Sequence, residues 1–116
     1  MLNISENELR CKCRCIGREP LVERNLTWLQ AVLQLLRCRL GKPVIVTSGH
    51  RCMEHNKRTV GAVDKSFHTK GLAADIDTSR YGQETIAQIE HWLNDNNIFY
   101  LCYKTHIHLD LRRQVA

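Results

Sequence analysis

Hydrophobic positions along this chain form two helical stripes and several short alternating runs. Between about Glu23 and Leu40, the residues Leu26, Leu29, Val32, Leu33, Leu36 and Leu40 recur at steps of three and four, which places them on one side of an α-helix. Gly41 and Pro43 end that helix. Val44-Ile45-Val46-Thr47 reads as a β-branched strand that breaks at Ser48-Gly49, and a short helix is expected through Met53–Arg58. No period persists from Thr59 to Lys70, which reads as a loop. Leu72, Ala74 and Ile76 then alternate with Ala73, Asp75 and Asp77, giving a strand with one apolar face and one acidic face. Ile86, Ile89, Trp92 and Leu93 make the second helical stripe, from about Gln83 to Asn94, and the Asn94-Asp95-Asn96-Asn97 cluster closes it. The chain finishes with two strands, Ile98 to Tyr103 and Ile107 to Leu111, joined by a turn near Lys104-Thr105. Side chains alternate along a strand, so His106, His108, Asp110 and Arg112 share one face of the last strand while Ile107, Leu109 and Leu111 share the other. This order of elements predicts an α+β fold: a single domain with a small, mostly antiparallel sheet and two main helices.

At 116 residues the chain has room for one domain, expected as a core over residues 23–116 preceded by a cysteine-containing segment over residues 1–22. No apolar run approaches the roughly 20 residues needed to cross a bilayer, so a transmembrane protein is not expected. The first ten residues carry acidic side chains and no apolar stretch of signal-peptide length, which points to synthesis in the cytoplasm without a cleaved signal. A formal charge of +5 allows a polyanionic partner, but the surplus is spread along the chain and names none. A nucleic-acid binder is disfavoured by the 6% aromatic content and by the lack of a regular finger spacing. Six cysteines are many for a reducing compartment, where disulfides are disfavoured. Cys11, Cys13 and Cys15 form a Cys-x-Cys-x-Cys cluster that is tighter than usual zinc-knuckle spacing, leaving a structural metal and plain free thiols both open. Cys38 and Cys102 lie in apolar stretches and are expected in the core.

The chemistry concentrates in His68, Asp75 and His108. Two imidazole nitrogens and one carboxylate are a donor set for catalytic zinc, which takes three protein ligands and keeps a fourth position for water. These donors suit zinc better than manganese or iron. Gly71 permits a sharp turn between the His68 loop and the strand of Asp75, and Ala73 and Ala74 leave space beside it. Polar alternation alone would accept Ser, Thr, Lys or Glu at these positions, so a surface strand with no metal is the competing reading.

Four ordered blocks carry a resemblance: Ser48-Gly49-His50-Arg51; Asn56; Ser66-x-His68-x-x-Gly71-x-Ala73-x-Asp75; and His106-x-His108-x-Asp110. Over roughly Leu26 to Arg112 the chain resembles the zinc D-alanyl-D-alanine carboxypeptidases, whose fold is shared with lysostaphin-type enzymes and the hedgehog signalling domain. The cysteines ahead of the first helix are similar to those of small phage or prophage members. The resemblance implies that His68, Asp75 and His108 bind zinc, that Arg51 holds a substrate carboxylate or carbonyl, and that Ser66 hydrogen-bonds the bound peptide. It also implies the substrate, a peptide of bacterial peptidoglycan cut at a D-Ala-D-Ala or L-Ala-D-Glu type bond. A monomer acting at the cell wall, as a phage lysis enzyme released through the membrane or carried on a virion, fits such a role.

One position departs from the pattern. Many family members carry Glu or Asp three residues before the last histidine ligand as general base, and this chain has Thr105 there, which cannot serve near neutral pH. His106 and Asp110 are the expected substitutes, with Asp110 alternatively fixing the orientation of the His108 ring. Thr105 also keeps a different class in view: a zinc-binding interaction domain of hedgehog type that performs no hydrolysis.

Overall fold

The computed structural model describes residues 4–9, 20–51 and 67–115. Helix α1 runs Pro20–Leu40, strand β1 Val46–Ser48, β2 Ala73–Asp77, helix α2 Gln83–Asp95, β3 Phe99–Cys102 and β4 His106–Asp110, with single 3₁₀ turns at Glu6–Leu9 and Phe67–Lys70. All neighbouring strands are antiparallel and the sheet order is β1-β2-β4-β3, which places the two strands of the suspected site in the centre. Among the described residues, the α+β architecture with two helices and a small antiparallel sheet is as the sequence predicts.

Leu26, Leu29, Leu33 and Leu36 of α1 and Ile89 and Leu93 of α2 bury their side chains with Ala74, Ile76, Ile107 and Leu109 of the two central strands. Each fully buried leucine or isoleucine contributes about 1.5–3 kcal/mol of transfer free energy. Helix α1 begins three residues ahead of its first expected position because Pro20 suits the first helical turn, where its missing N–H is no loss. It ends at Gly41, whose φ of 65° takes the left-handed conformation and whose N–H donates to the Arg37 carbonyl. Ile4 and Leu9, ahead of α1, belong to the same core.

The first strand and the two cysteines depart from expectation. The first strand pairs later than its β-branched run suggests: Val44 is buried, yet the Pro43 carbonyl accepts from the Tyr81 hydroxyl, and pairing starts at Val46 opposite Ile76. The register then slips, so that Ser48 faces Asp75. Such a slip redirects side chains toward a site. Cys38 and Cys102 are both exposed, a correction to their expected burial. Cys38 sits on the solvent side of α1, and Cys102, ending the edge strand β3, donates to Glu90 Oε1 at 2.9 Å. The expected helix at Met53–Arg58, most of the expected loop, and Cys11, Cys13, Cys15 and Cys52 lie outside the described residues. Among the described residues no helix is long and apolar enough to cross a membrane.

Candidate metal centre

Because β2 and β4 are adjacent, Asp75 and His108 are direct cross-strand partners on the face of the sheet opposite the core residues. Opposed residues in such a pair have Cβ atoms about 4.5–5.5 Å apart, within reach of a ring and a carboxylate. His108 Nδ1 lies 3.0 Å from Asp75 Oδ1. His68 arrives on the 3₁₀ turn, which Gly71 closes at a φ of 73° before the chain enters β2. A side chain at Gly71 would press on the Val22 carbonyl of α1 at 2.9 Å, so the turn is seated against the helix. The His68 carbonyl also accepts from the Arg51 N–H at 3.0 Å, tying the turn to the segment after β1. His68 Nε2 consequently sits 3.3 Å from the same Asp75 oxygen.

One donor atom from each of His68, Asp75 and His108 lies within 4.8 Å of the other two. Bonds of about 2.0–2.1 Å to a tetrahedral zinc put donors about 3.3–3.4 Å apart. The separations of 3.3 and 3.0 Å to Asp75 Oδ1 are close to that edge. The outer nitrogens of both rings are held as a metal site requires. His68 Nδ1 lies 2.7 Å from the Gly49 carbonyl, which only accepts, so the proton is on Nδ1 and Nε2 is the nitrogen turned toward Asp75. His108 Nε2 donates to Asp110 Oδ2 at 2.8 Å, leaving Nδ1 toward Asp75. A carbonyl behind one imidazole and a carboxylate behind the other fix ring orientation and raise ligand basicity.

Charge reinforces this arrangement. Burial would raise the Asp75 carboxyl, but its contacts with the His108 and His68 rings, His108 first, hold it far below the ordinary carboxylate range. Burial would lower the His108 imidazole, yet bonds to Asp110 and Asp75 push it up to about 9. Asp110, opposed by burial, is brought to about 2 by His108 and Arg112. The centre is thus built for net positive charge between Asp75 and the two rings, supplied by a proton on His108 or by a cation in its place.

The sequence profile of Peptidase M15 matches residues 2–110. The chain belongs to the Peptidase M15 family. No curated protein matches it. Members of the M15 family are metallopeptidases, and the donor set of this M15 chain fits a metal of that kind by ligand type, spacing and tautomer.

The remaining expected site residues of this M15 peptidase divide. Arg51 is half-buried and directly attached to the His68 turn by its backbone. Ser66 lies outside the described residues. His106 is on the site face, two positions along β4 from His108 and opposite Asp77. Its Nδ1 lies 3.1 Å from Thr105 Oγ1, and its ring stacks on Tyr103 with centroids 4.7 Å apart. Asp110 is fully buried. Its Oδ1 accepts from the Arg112 backbone N–H at 3.1 Å and Nε at 2.8 Å, and its Oδ2 accepts from His108 Nε2 and Arg112 Nη2 at 2.8 Å each. The alternative reading of Asp110, orienting the His108 ring, matches these contacts. Two participants had no role assigned from the sequence. The Gly49 carbonyl is a backbone atom with no signature of its own, whereas Arg112 was visible as the next residue on the face of His108 and Asp110.

Proposed function

We propose that this protein is a zinc-dependent peptidase that hydrolyses an amide bond in the peptides of bacterial peptidoglycan, of the D-Ala-D-Ala carboxypeptidase or L-Ala-D-Glu endopeptidase type. The observation that carries the reading is the His68–Asp75–His108 group, with both rings held from behind, in a chain of the Peptidase M15 family. Held by His68, Asp75 and His108, zinc would supply polarisation of a scissile carbonyl and a water acidic enough to attack near neutral pH.

The protein's own groups have separate tasks. Arg51, beside the His68 turn, anchors a carboxylate or carbonyl of the substrate through its planar fork of donors, and Ser66 hydrogen-bonds the peptide. His106 takes a proton from the attacking water and delivers it to the departing amine. Thr105 and Tyr103 hold its ring in place for that transfer. Asp110 keeps His108 in the tautomer that presents Nδ1. The site of action is the cell wall, where the substrate is, reached by a monomer, as in phage-mediated lysis.

Digestion of purified peptidoglycan, followed by mass spectrometry of the soluble fragments with chelator as control, tests the proposal and identifies the bond. Release of D-Ala, or of fragments with new amino groups that chelator abolishes, is expected. No release across pH 5 to 9 from zinc-loaded protein overturns hydrolysis and favours the hedgehog-type interaction domain. Thr105 at the usual position of the acidic base is the observation on that side.

A further inference from the structure

We infer that Arg112 is a positioning residue of the metal centre, acting through Asp110 on His108 and through Phe67 on the turn that carries His68. The inference rests on the metal-binding part of the proposed function.

The side chain leaves the end of β4 and covers a carboxylate that has no contact with water: Asp110 is 0% exposed and Arg112 39%. Nε and Nη2 reach separate oxygens of Asp110, each at 2.8 Å, while the Arg112 backbone N–H adds a third bond at 3.1 Å. With two parallel donors, the carboxylate has one allowed rotation about its own axis, and in that rotation Oδ2 is aimed at His108 Nε2. Arginine is the residue type that does this, because lysine offers a rotating point charge with no fixed pair of donors.

The same guanidinium lies over two aromatic rings, Phe99 at 3.5 Å and Phe67 at 4.8 Å from the centroids. Phe99 lies opposite Asp110 in the β3–β4 ladder, so the arginine is packed where the carboxylate needs it. Phe67 directly precedes His68 in the 3₁₀ turn. A single side chain therefore joins the strand of one imidazole ligand to the turn of the other. The His108 ring stands between this assembly and Asp75, so Arg112 reaches the ligands through Asp110.

The decisive experiment titrates metal-free full-length protein with zinc against a chromophoric chelator, and records the visible spectrum of the cobalt form, for wild type, Arg112→Ala, Arg112→Lys and Arg113→Ala. Arg113 is the control: it also neighbours Phe99, at 5.7 Å, but its Nη1 is directed to Asn97 Oδ1 at 3.4 Å. Loss of such an outer partner weakens metal binding by about 10- to 100-fold. That loss is expected for Arg112→Ala, with little recovery in Arg112→Lys, an altered cobalt spectrum in both, and no change in Arg113→Ala. Folding is checked by far-ultraviolet circular dichroism, and if the alanine variant fails to fold, the lysine variant alone decides. A folded Arg112 variant that binds zinc within twofold of wild type, with an unchanged cobalt spectrum, overturns the inference and leaves the proposed function standing. Wild-type protein that takes up no zinc overturns both.

Discussion

Replacing Gly49 with alanine probes whether the amino-terminal turn and the metal centre form one packed unit. A Cβ at position 49 would stand 2.6 Å from Leu9 Cα, 2.7 Å from its carbonyl oxygen and 2.9 Å from its carbonyl carbon. Comfortable carbon contacts are about 3.5–4.0 Å, and since all three atoms are backbone, no rotamer change relieves the clash. The turn at Glu6–Leu9 must retreat, against the packing of a Leu9 side chain that is 0% exposed. Overpacking of this kind costs about 1–3 kcal/mol. Losing the bond from the His50 N–H to the Leu9 carbonyl, 2.8 Å long, costs about 1 kcal/mol more. The stiffer unfolded chain of the alanine variant returns about 0.4–1 kcal/mol. The net is a destabilisation of about 1–3.5 kcal/mol, which for a domain of this size lowers the melting midpoint by roughly 4–14 °C. Zinc affinity should fall as well, because the Gly49 carbonyl is the acceptor for His68 Nδ1. Thermal denaturation of the metal-free protein, followed by zinc titration, measures both. A variant that melts within about 2 °C of wild type and binds zinc equally well refutes the coupling.

The pH dependence has opposite signs with and without metal. In the metal-free protein His108 is raised from 6.5 to about 9, so its contribution is complete below 6.5 and disappears as pH climbs through 9; the melting midpoint should drop over that interval. Zinc must displace the proton on Nδ1, so its apparent affinity should rise by about tenfold per pH unit between 7 and 9, with about one proton released per ion by calorimetry in buffers of different ionisation enthalpy. Flat binding over that range would remove His108 from the ligand set. His106→Ala should lower kcat by about 10²- to 10⁴-fold while zinc stoichiometry is unchanged, and an undiminished kcat would exclude it as the proton carrier. Leu29→Ala, at a fully buried position of α1, should cost about 2–5 kcal/mol in urea denaturation. A cost below about 1 kcal/mol would mean that the core is not packed there as described.

Much of the architecture was readable from hydrophobic spacing, because each main element buries one face and the period reveals it. Leu26 to Leu36 on α1, Ile89 and Leu93 on α2, and Ile107 and Leu109 on β4 all point inward as their periods require. The meeting of Asp75 with His108 followed from two strands with polar faces, but their adjacency did not, since strand order depends on long-range pairing that spacing does not encode. Cys38 and Cys102 show the limit of composition: an apolar neighbourhood in sequence became a solvent-facing helix side and an edge-strand terminus. The slip at Val46/Ser48 and the Gly49 carbonyl behind His68 were invisible for a related reason, being properties of backbone path. Asp110 illustrates the reverse, because alternation assigned its face correctly while its burial depended on the Arg112 side chain folding over it.

Zinc K-edge X-ray absorption on protein loaded with one equivalent of metal bears most directly on the centre. Binding at His68, Asp75 and His108 gives a shell of nitrogen and oxygen only, at about 2.0–2.1 Å, with imidazole scattering from two histidines and no sulfur. A shell dominated by sulfur at about 2.3 Å would place the ion on cysteines and contradict the assignment of His68, Asp75 and His108.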